Sequence, residues 1–589
     1  MKKIYRLIAL AFSAIVILPS CAQLLEPEPY GLVDLDLVWT KYNYTASLVS
    51  TIGKGANYES GFPYSAYCDE AESVLDKTDS GWYSWYNKDF NTQSYIMSGG
   101  WSDIYNNIRT IAFYLTNKDK MSFTNITDLE KEFWEVKAHF YRAWHYFTLM
   151  KRYSKAVIFT EVYDLNETFS SVHPNTTEEV ADFIIQELDA CLAATEDESS
   201  PYTFRWHPQS FGAINRGFAW VLKARTAMFA ASPLYYQEGS KYTWEYAYQI
   251  NKQAVEALTA HGYKLFDIEP EDNYAYGVYD YYHIFENDAS RSRDKETILG
   301  NGGRLQMWNN YGLPTTKGRV SCGICPTQEL VDCYETIDGE PILDLAQPYL
   351  DAEHLQPNYN KNNKLYDPEN PYANRDPRFY GTIYYNGAPR WWRNPDSLRV
   401  ETFVGGNCGI SDDPTTKYYT RTGYYMRKYN CAYSDEDGNY DGRAHNARLA
   451  EMYLNLAECA CEAGHLQDAF DYTNLVRERV GMPALDESMS QEQLRLRIRN
   501  ERRVELALEG SYRFDDVRRW KIIDQTEEHV TGMRITKDQT SGKLTYKRFS
   551  FGTRTNKGDS KYLLYPVPDD EVQKMLKLSG ENWQNPGWD

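Results

Sequence analysis

Apolar positions recur at helical spacing in two blocks of the chain and lose that period between them. In the first block the spacing predicts a helix near Leu37–Ile52. Another starts at Trp101, with Ile104, Tyr105, Ile108, Ile111, Ala112 and Leu115 in register. A third runs from about Leu129 to Tyr153 on Phe133, Val136, Phe140, Ala143, Trp144, Phe147 and Leu149. Thr177–Ala194 is amphipathic and opens on Asn175-Thr-Thr ahead of Glu178 and Glu179, a capping arrangement. Gly212–Ala231 is rich in small residues, and Trp244–Ala260 pairs with it as a hairpin. The second block holds His445–Ala463, a tight turn at Gly464, and Leu466–Val480. There Tyr453, Leu456, Ala457, Gly464 and Ala469 fit the spacing of a tetratricopeptide-like repeat, with small residues where two helices approach. Between the blocks, over about 265–444, Gly, Pro, Asn and Tyr increase and the period fades, which predicts a loop-rich part with short helices or strands. The expected fold is mainly α, with helical parts at about 37–264 and 445–522.

Charge adds order to one stretch. Arg497, Glu501, Glu505, Glu509 and Arg513 recur every four residues along a helix predicted to stop at Gly510. A shorter helix through Phe514, Val517 and Trp520 should follow. Three carboxylates in a row repel one another unless cations neutralise them. Arg499, Arg502, Arg503, Arg518 and Arg519 are at hand, so the row reads as a partly buried ionic network. A catalytic carboxylate pair and a plain solvated face are the rival readings.

Lys+Arg is 63 against Asp+Glu 83, a net charge of −20, which gives no electrostatic reason to bind nucleic acid. No P-loop, GxGxxG after a strand, GxSxG or HExxH occurs. Cys322-Gly-Ile-Cys325 has metal-ligand spacing but no second CxxC or HxxxH pair, which argues against zinc, and Cys459 and Cys461, two apart on a helix, read as small buried apolar residues. His139 and His145 lie on an aromatic helix and read as core or capping residues. No Asp-rich loop of EF-hand spacing argues for calcium. Tyr numbers 50 against 23 Phe, and aromatic residues cluster in loops beside polar ones. Trp82, Tyr83, Trp85 and Tyr86 follow Asp69 and Glu70; Trp308, Asn309 and Tyr311 follow Arg304; Arg390 and Trp391 share a third loop. Sugar rings stack on Trp and Tyr, and their hydroxyls need planar hydrogen-bond partners. Packing within the loops is the competing account of each cluster.

Residues 1–20 read as a leader, with a basic start at Lys2, Lys3 and Arg6 and an apolar run from Leu7 to Leu18 too short to span a bilayer. Leu18-Pro-Ser-Cys21 resembles a bacterial lipobox, making Cys21 the expected lipidated residue, and residues 21–589 one domain.

Several motifs resemble the SusD/RagB family, surface nutrient-binding lipoproteins of Bacteroidetes. They are Glu501-Arg-Arg-Val-Glu505 followed by Phe514-Asp-Asp-Val-Arg-Arg-Trp520, the helix Ala138-His-Phe-Tyr-Arg-Ala-Trp-His-Tyr-Phe147, and Ser232-Pro-Leu-Tyr235. Pro326–Asp332, Tyr372–Phe379, Leu564–Glu571 and Gln584–Gly587 extend the likeness over most of the chain. The resemblance implies a helical scaffold with a glycan site on loops before the first repeats and in the middle insertion. It also implies a SusC-like TonB-dependent transporter as partner, attachment to the outer membrane through the lipid, and calcium in some relatives. A glycan-cleaving α-helical enzyme and a peptide-binding member of the family are the alternative functions. Replacing Cys21 with Ala should abolish lipid labelling and move the protein out of the membrane fraction; unchanged labelling would require another anchor.

Overall fold

The computed structural model describes residues 35–588 apart from 54–55, 57–62, 75–90, 93–99, 164–168, 208–211, 267–280, 282–283, 286–293, 301–304, 307–311, 316–320, 391–397, 412, 414–415, 431–440 and 551–557. The helices of the first block are α1 (Tyr42–Thr51), α2 (Trp101–Asn117), α3 (Asp128–Tyr153), α4 (Thr177–Leu192), α5 (Arg216–Ala231) and α6 (Trp244–Ala260). Each of the last four begins on a side chain that accepts a backbone N–H: Thr127, Thr176, Asn215 and Thr243. Thr176 and Glu179 form the capping box expected from sequence. Asn215 also explains why α5 starts later than Gly212. The helix expected over Leu37–Ile52 is divided: Leu35–Trp39 is a 3-10 turn, Lys41 is extended, and α1 starts at Tyr42.

The middle carries β1 (Ala71–Ser73), β2 (Thr297–Gly300), β3 (Leu305–Gln306), β4 (Ile324–Pro326), the short helices α7 (Gln328–Cys333) and α8 (Pro377–Thr382), and β5 (Ile383–Tyr384), β6 (Tyr425–Met426), β7 (Asp441–Gly442) and β8 (His445–Arg448). The second block holds α9 (Leu449–Ala463), α10 (Leu466–Arg479), α11 (Gln491–Glu505) and α12 (Tyr512–Arg519). A hairpin of β9 (Thr531–Lys537) and β10 (Leu544–Ser550) precedes α13 (Asp569–Ser579). Among the described residues every ladder is an antiparallel pair: β1 with β4, β2 with β8, β3 with β7, β5 with β6, and β9 with β10.

From α2 to α6 each helix packs on the next, and α6 then packs on α9, which carries α10 and α11. The two blocks thus join into one stack although the loop-rich part separates them in sequence. Gly464 turns α9 into α10 with φ 89°, a backbone conformation that suits glycine. The core expected from the helical spacing is buried, including Ile108, Phe140, Leu222 and Leu456.

The ionic row sits where the stack meets the loop-rich half. Arg378 donates to both Glu501 (2.5 Å) and Glu505 (3.0 Å). Arg448 reaches Glu296 (2.8 Å), Glu505 (2.5 Å) and Glu509 (2.8 Å). Arg479 joins Glu296 to Glu505, and Arg477 joins Glu335 to Glu501. Arg448 and Glu505 are both 0% exposed. Burial alone would raise the Glu505 carboxyl, but Arg479, Arg448 and Arg378 outweigh it and hold it below the ordinary carboxylate range. A carboxylate so enclosed has neither a proton to give nor room for a substrate, which removes the catalytic reading of this row.

Two of these helices depart from the bounds expected from sequence. First, His445–Arg448 is not helical. It pairs with β2, and the extended Arg448 at the head of α9 aims its guanidinium into the network. Second, α11 ends at Glu505 rather than at Gly510. The carbonyls of its last turn are taken by side chains: Glu505 O accepts from Arg448 (2.8 Å) and Tyr281 (3.0 Å), and Ala507 O from Lys428 (2.8 Å). Leu508 then adopts φ 60°, and Glu509 still meets Arg448 from the turn. Burial lowers the Lys428 ammonium to about 8, against the pull of Glu509. Replacing Glu505 with Gln leaves three guanidinium groups short of charge and should destabilise the fold by about 3–5 kcal/mol in urea unfolding; an unchanged midpoint would refute the role given to this network.

Candidate functional site

Trp82, Tyr83, Trp85, Tyr86, Arg304, Trp308, Asn309, Tyr311, Trp391 and the lipidation candidate Cys21 lie outside the described residues. Their flanks are described. Val74, Leu313, Cys322, Cys325, Tyr384, Ala388, Val400, Cys408 and Tyr425 pack into one apolar cluster separate from the main core. Val74 stands on the stem that leads to Trp82, and Leu313 follows Tyr311. Ala388 and Val400 stand on the two arms that lead into and out of Trp391. The stems of the three aromatic loops, far apart in sequence, therefore meet at one hub.

Backbone hydrogen bonds fix each stem there. β1 pairs with β4 in the register Ala71↔Pro326 and Ser73↔Ile324, and Val74 N–H donates to Gly323 O at 2.9 Å. Arg421 adds a bond to Ser73 O at 2.9 Å. Gly387 N–H donates to Val400 O at 2.7 Å and Val400 N–H to Ala388 O at 2.8 Å, across a ribbon whose next rung is Arg390 N–H to Leu398 O, 3.0 Å. Tyr384 Oη closes that ribbon by donating to Arg390 O at 3.1 Å, and the Arg427 guanidinium lies 5.0 Å from the Tyr384 ring. Leu305–Gln306, next to Arg304 and Trp308, are held by β7. Cys322 and Cys325 are buried in the hub with their sulfurs 3.9 Å apart. Among the described residues no group of three or more His, Cys, Asp or Glu is placed to hold a metal ion.

Two of the residues proposed from sequence are described, and both face inward. Asp69 is 2% exposed; Arg513 donates to its Oδ1 at 2.8 Å and Arg503 to its Oδ2 at 2.8 Å. It ties the first loop to α11 and α12 instead of offering a free acceptor. Arg390 is buried at the base of its ribbon. Conversely, the sequence reading passed over Tyr418 and Tyr419. They are 44% and 37% exposed on a bend that Cys322 N–H pins through Lys417 O at 2.9 Å. Their signal was present as a Tyr pair between Lys417 and Thr420 in the loop-rich part.

Glu70 lies at the head of the first stem. Its Oε2 accepts from Leu508 N–H at 3.3 Å, and its Oε1 meets no donor at hydrogen-bonding geometry. Burial raises its carboxyl to about 7, against the opposing pull of Arg503 and with the help of Asp69. A raised folded value means that its contribution is full below the ordinary value of 4.5 and is lost as pH rises through about 7. Glu70→Gln should therefore melt above the parent at about pH 8 and level with it at about pH 4. Equal melting curves at both values would place the group in a solvated site.

The SusD family model matches residues 283–588, just over half of the chain. No curated protein matches. A SusD-like protein from Bacteroides fragilis superposes with TM-score 0.70 at 24% identity, covering 94% of this chain and 98% of its own. A SusD-like carbohydrate-binding protein from the same species gives TM-score 0.64 at 20% identity over 91% and 98%. A SusD homolog from Bacteroides thetaiotaomicron gives 0.60 at 16% over 93% and 97%. The network on Glu501–Glu505, with Glu296, Arg378, Arg448 and Arg479, falls inside the matched region, and the chain belongs to the SusD family.

Proposed function

We propose that the protein binds an oligo- or polysaccharide on the surface carried by the hub and hands it to a SusC-like TonB-dependent transporter. A lipid on Cys21 would hold it to the outer membrane on the cell surface, with residues 21–589 acting as one binding domain. The observation that carries the proposal is the meeting, in the cluster of Val74, Leu313, Ala388 and Val400, of residues that flank three Trp-bearing stretches of the sequence. A long glycan needs several flat faces close together, and a single loop offers few. Tyr418 and Tyr419, exposed beside the hub, add two. The carbohydrate binding ascribed to one of the similar structures agrees with this reading. No helix among the described residues is long and apolar enough to cross a membrane.

The chemistry is reversible stacking and hydrogen bonding. No carboxylate is assigned an acid or base role, and the protein is proposed not to be an enzyme. Calorimetry with the best ligand from a glycan panel tests the surface. Trp82→Ala, Trp308→Ala and Tyr418→Ala should each weaken binding by about 1–3 kcal/mol with little change in melting temperature. Parental affinity in all three would move the site elsewhere. New reducing ends, abolished by one carboxylate substitution, would favour the enzyme.

A further inference from the structure

Two cysteines share one turn at the hub. Cys322 precedes β4 and Cys325 lies within it, with Gly323 between them at φ 64°. Ser321 Oγ accepts from Gly323 N–H at 2.9 Å and closes the turn. Both side chains join the hub cluster, with their sulfurs 3.9 Å apart. As small apolar residues, either could pack there alone. Two in contact at the ends of one turn are placed for a bond between them. The same turn holds its neighbours. β4 pairs with β1, Gly323 O accepts from Val74 N–H at 2.9 Å, and Cys322 N–H reaches Lys417 O, next to Tyr418 and Tyr419.

The acidity of Cys325 separates it from other buried thiols. Burial pushes Cys68, Cys191 and Cys459 well up, Cys333 to about 11 and Cys461 to about 12. Burial would raise Cys325 too, but hydrogen bonds from Cys322, Thr420 and Arg421 N–H, with the Arg421 charge, hold it below the ordinary thiol value. We propose that Cys322 and Cys325 are a redox site, joined as a disulfide that locks this turn of the hub. The oxidant is a disulfide compound, the class that oxidising compartments supply. The Cys325 thiolate attacks one sulfur of the oxidant, forms a mixed disulfide and expels a thiolate. The Cys322 thiolate then attacks Cys325 Sγ, the S–S bond between them forms, and the second thiolate leaves. The protons lost by the two cysteines go through solvent to the two expelled thiolates. Two Cys–SH and one RS–SR thus give one Cys–S–S–Cys and two RSH. Cys322 is 1% exposed and Cys325 0%. Exchange therefore takes place before the hub closes, and the closed hub keeps reductants from the bond.

The bond does not depend on what the loops bind, and its test needs no glycan. The full chain is refolded from denaturant with reduced and oxidised glutathione, unfolded again without reductant, alkylated with iodoacetamide and digested with trypsin. The peptide 320–361 also contains Cys333, which serves as an internal control. In mass spectrometry this peptide should be lighter by two hydrogens and carry its label on Cys333 alone. In Cys322→Ser the bond should be lost and Cys325 should take up label or glutathione. Dithiothreitol should reduce the bond at least about tenfold more slowly in the folded chain than in urea. The amides of β1 and Val74 should exchange hydrogen more slowly in the oxidised form than in the same chain refolded with reductant alone. If that reduced chain or the variant fails to fold, the mapped bond in the parent decides by itself. The proposal is overturned if Cys322 and Cys325 both take up label after refolding with oxidised glutathione. It is equally overturned if either pairs with another cysteine, Cys408 included, if Cys325 stops at the mixed disulfide in the parent, if folded and unfolded chains are reduced alike, or if oxidised and reduced folded forms exchange alike at β1.

Discussion

Charge taken out of water has to be paired, and that requirement sets how the two halves of this protein meet. Arg448 and Glu505 are fully buried, so each is stable there only while its partners stay in place. Those partners come from separate parts of the chain: Glu296 and Arg378 from the loop-rich half, Arg479 from α10, and Glu505 and Glu509 from α11 and the turn after it. A register error in any of these elements would strand a charge. The network therefore specifies one arrangement of loops on stack more strongly than apolar contact does, since apolar contact tolerates sliding.

The same logic extends to the base of the candidate surface. Asp69 is fixed by Arg503 and Arg513, both from the segment that carries the network. Two residues later the chain enters β1, and soon after it reaches Val74 in the hub. The first aromatic loop is thus connected through a short stem to the most strongly determined part of the molecule. A binding loop on such a stem can vary at its tip while its base stays fixed, which is how rigid scaffolds usually carry variable recognition surfaces.

The helices were legible because their burial follows one period: α3 starts one residue before the expected Leu129, and α6 has the expected bounds. The ionic row was legible because charges four apart share a helix face. Errors came where a distant partner overrides local pattern. His445–Arg448 looks helical in sequence, yet β2 claims its backbone, and α11 stops early because Lys428, Tyr281 and Arg448 take its last carbonyls. The burial and pairing of Asp69 were hidden for a related reason. An acid before a Trp-rich loop resembles a sugar ligand, and only the fold brings Arg513 against it from the far end of the chain. The hub itself had no local signal, because it is assembled from single apolar residues such as Val74 and Leu313.

This contrast bears on what the loops are for. If aromatic residues in the loop-rich part served only to fill a core, their stems would enter the main cluster with α3, α5 and α9. Val74, Leu313, Ala388 and Val400 instead form a small cluster of their own, and the exposed Tyr418 and Tyr419 stand beside it. A hub of this size contributes far less to stability than the stack and its ionic seam, since burial energy scales with apolar area removed from water. What it does is hold three loop bases at fixed separation. Fixed separation of loop bases matters little for folding and a great deal for a ligand that must touch several loops at once.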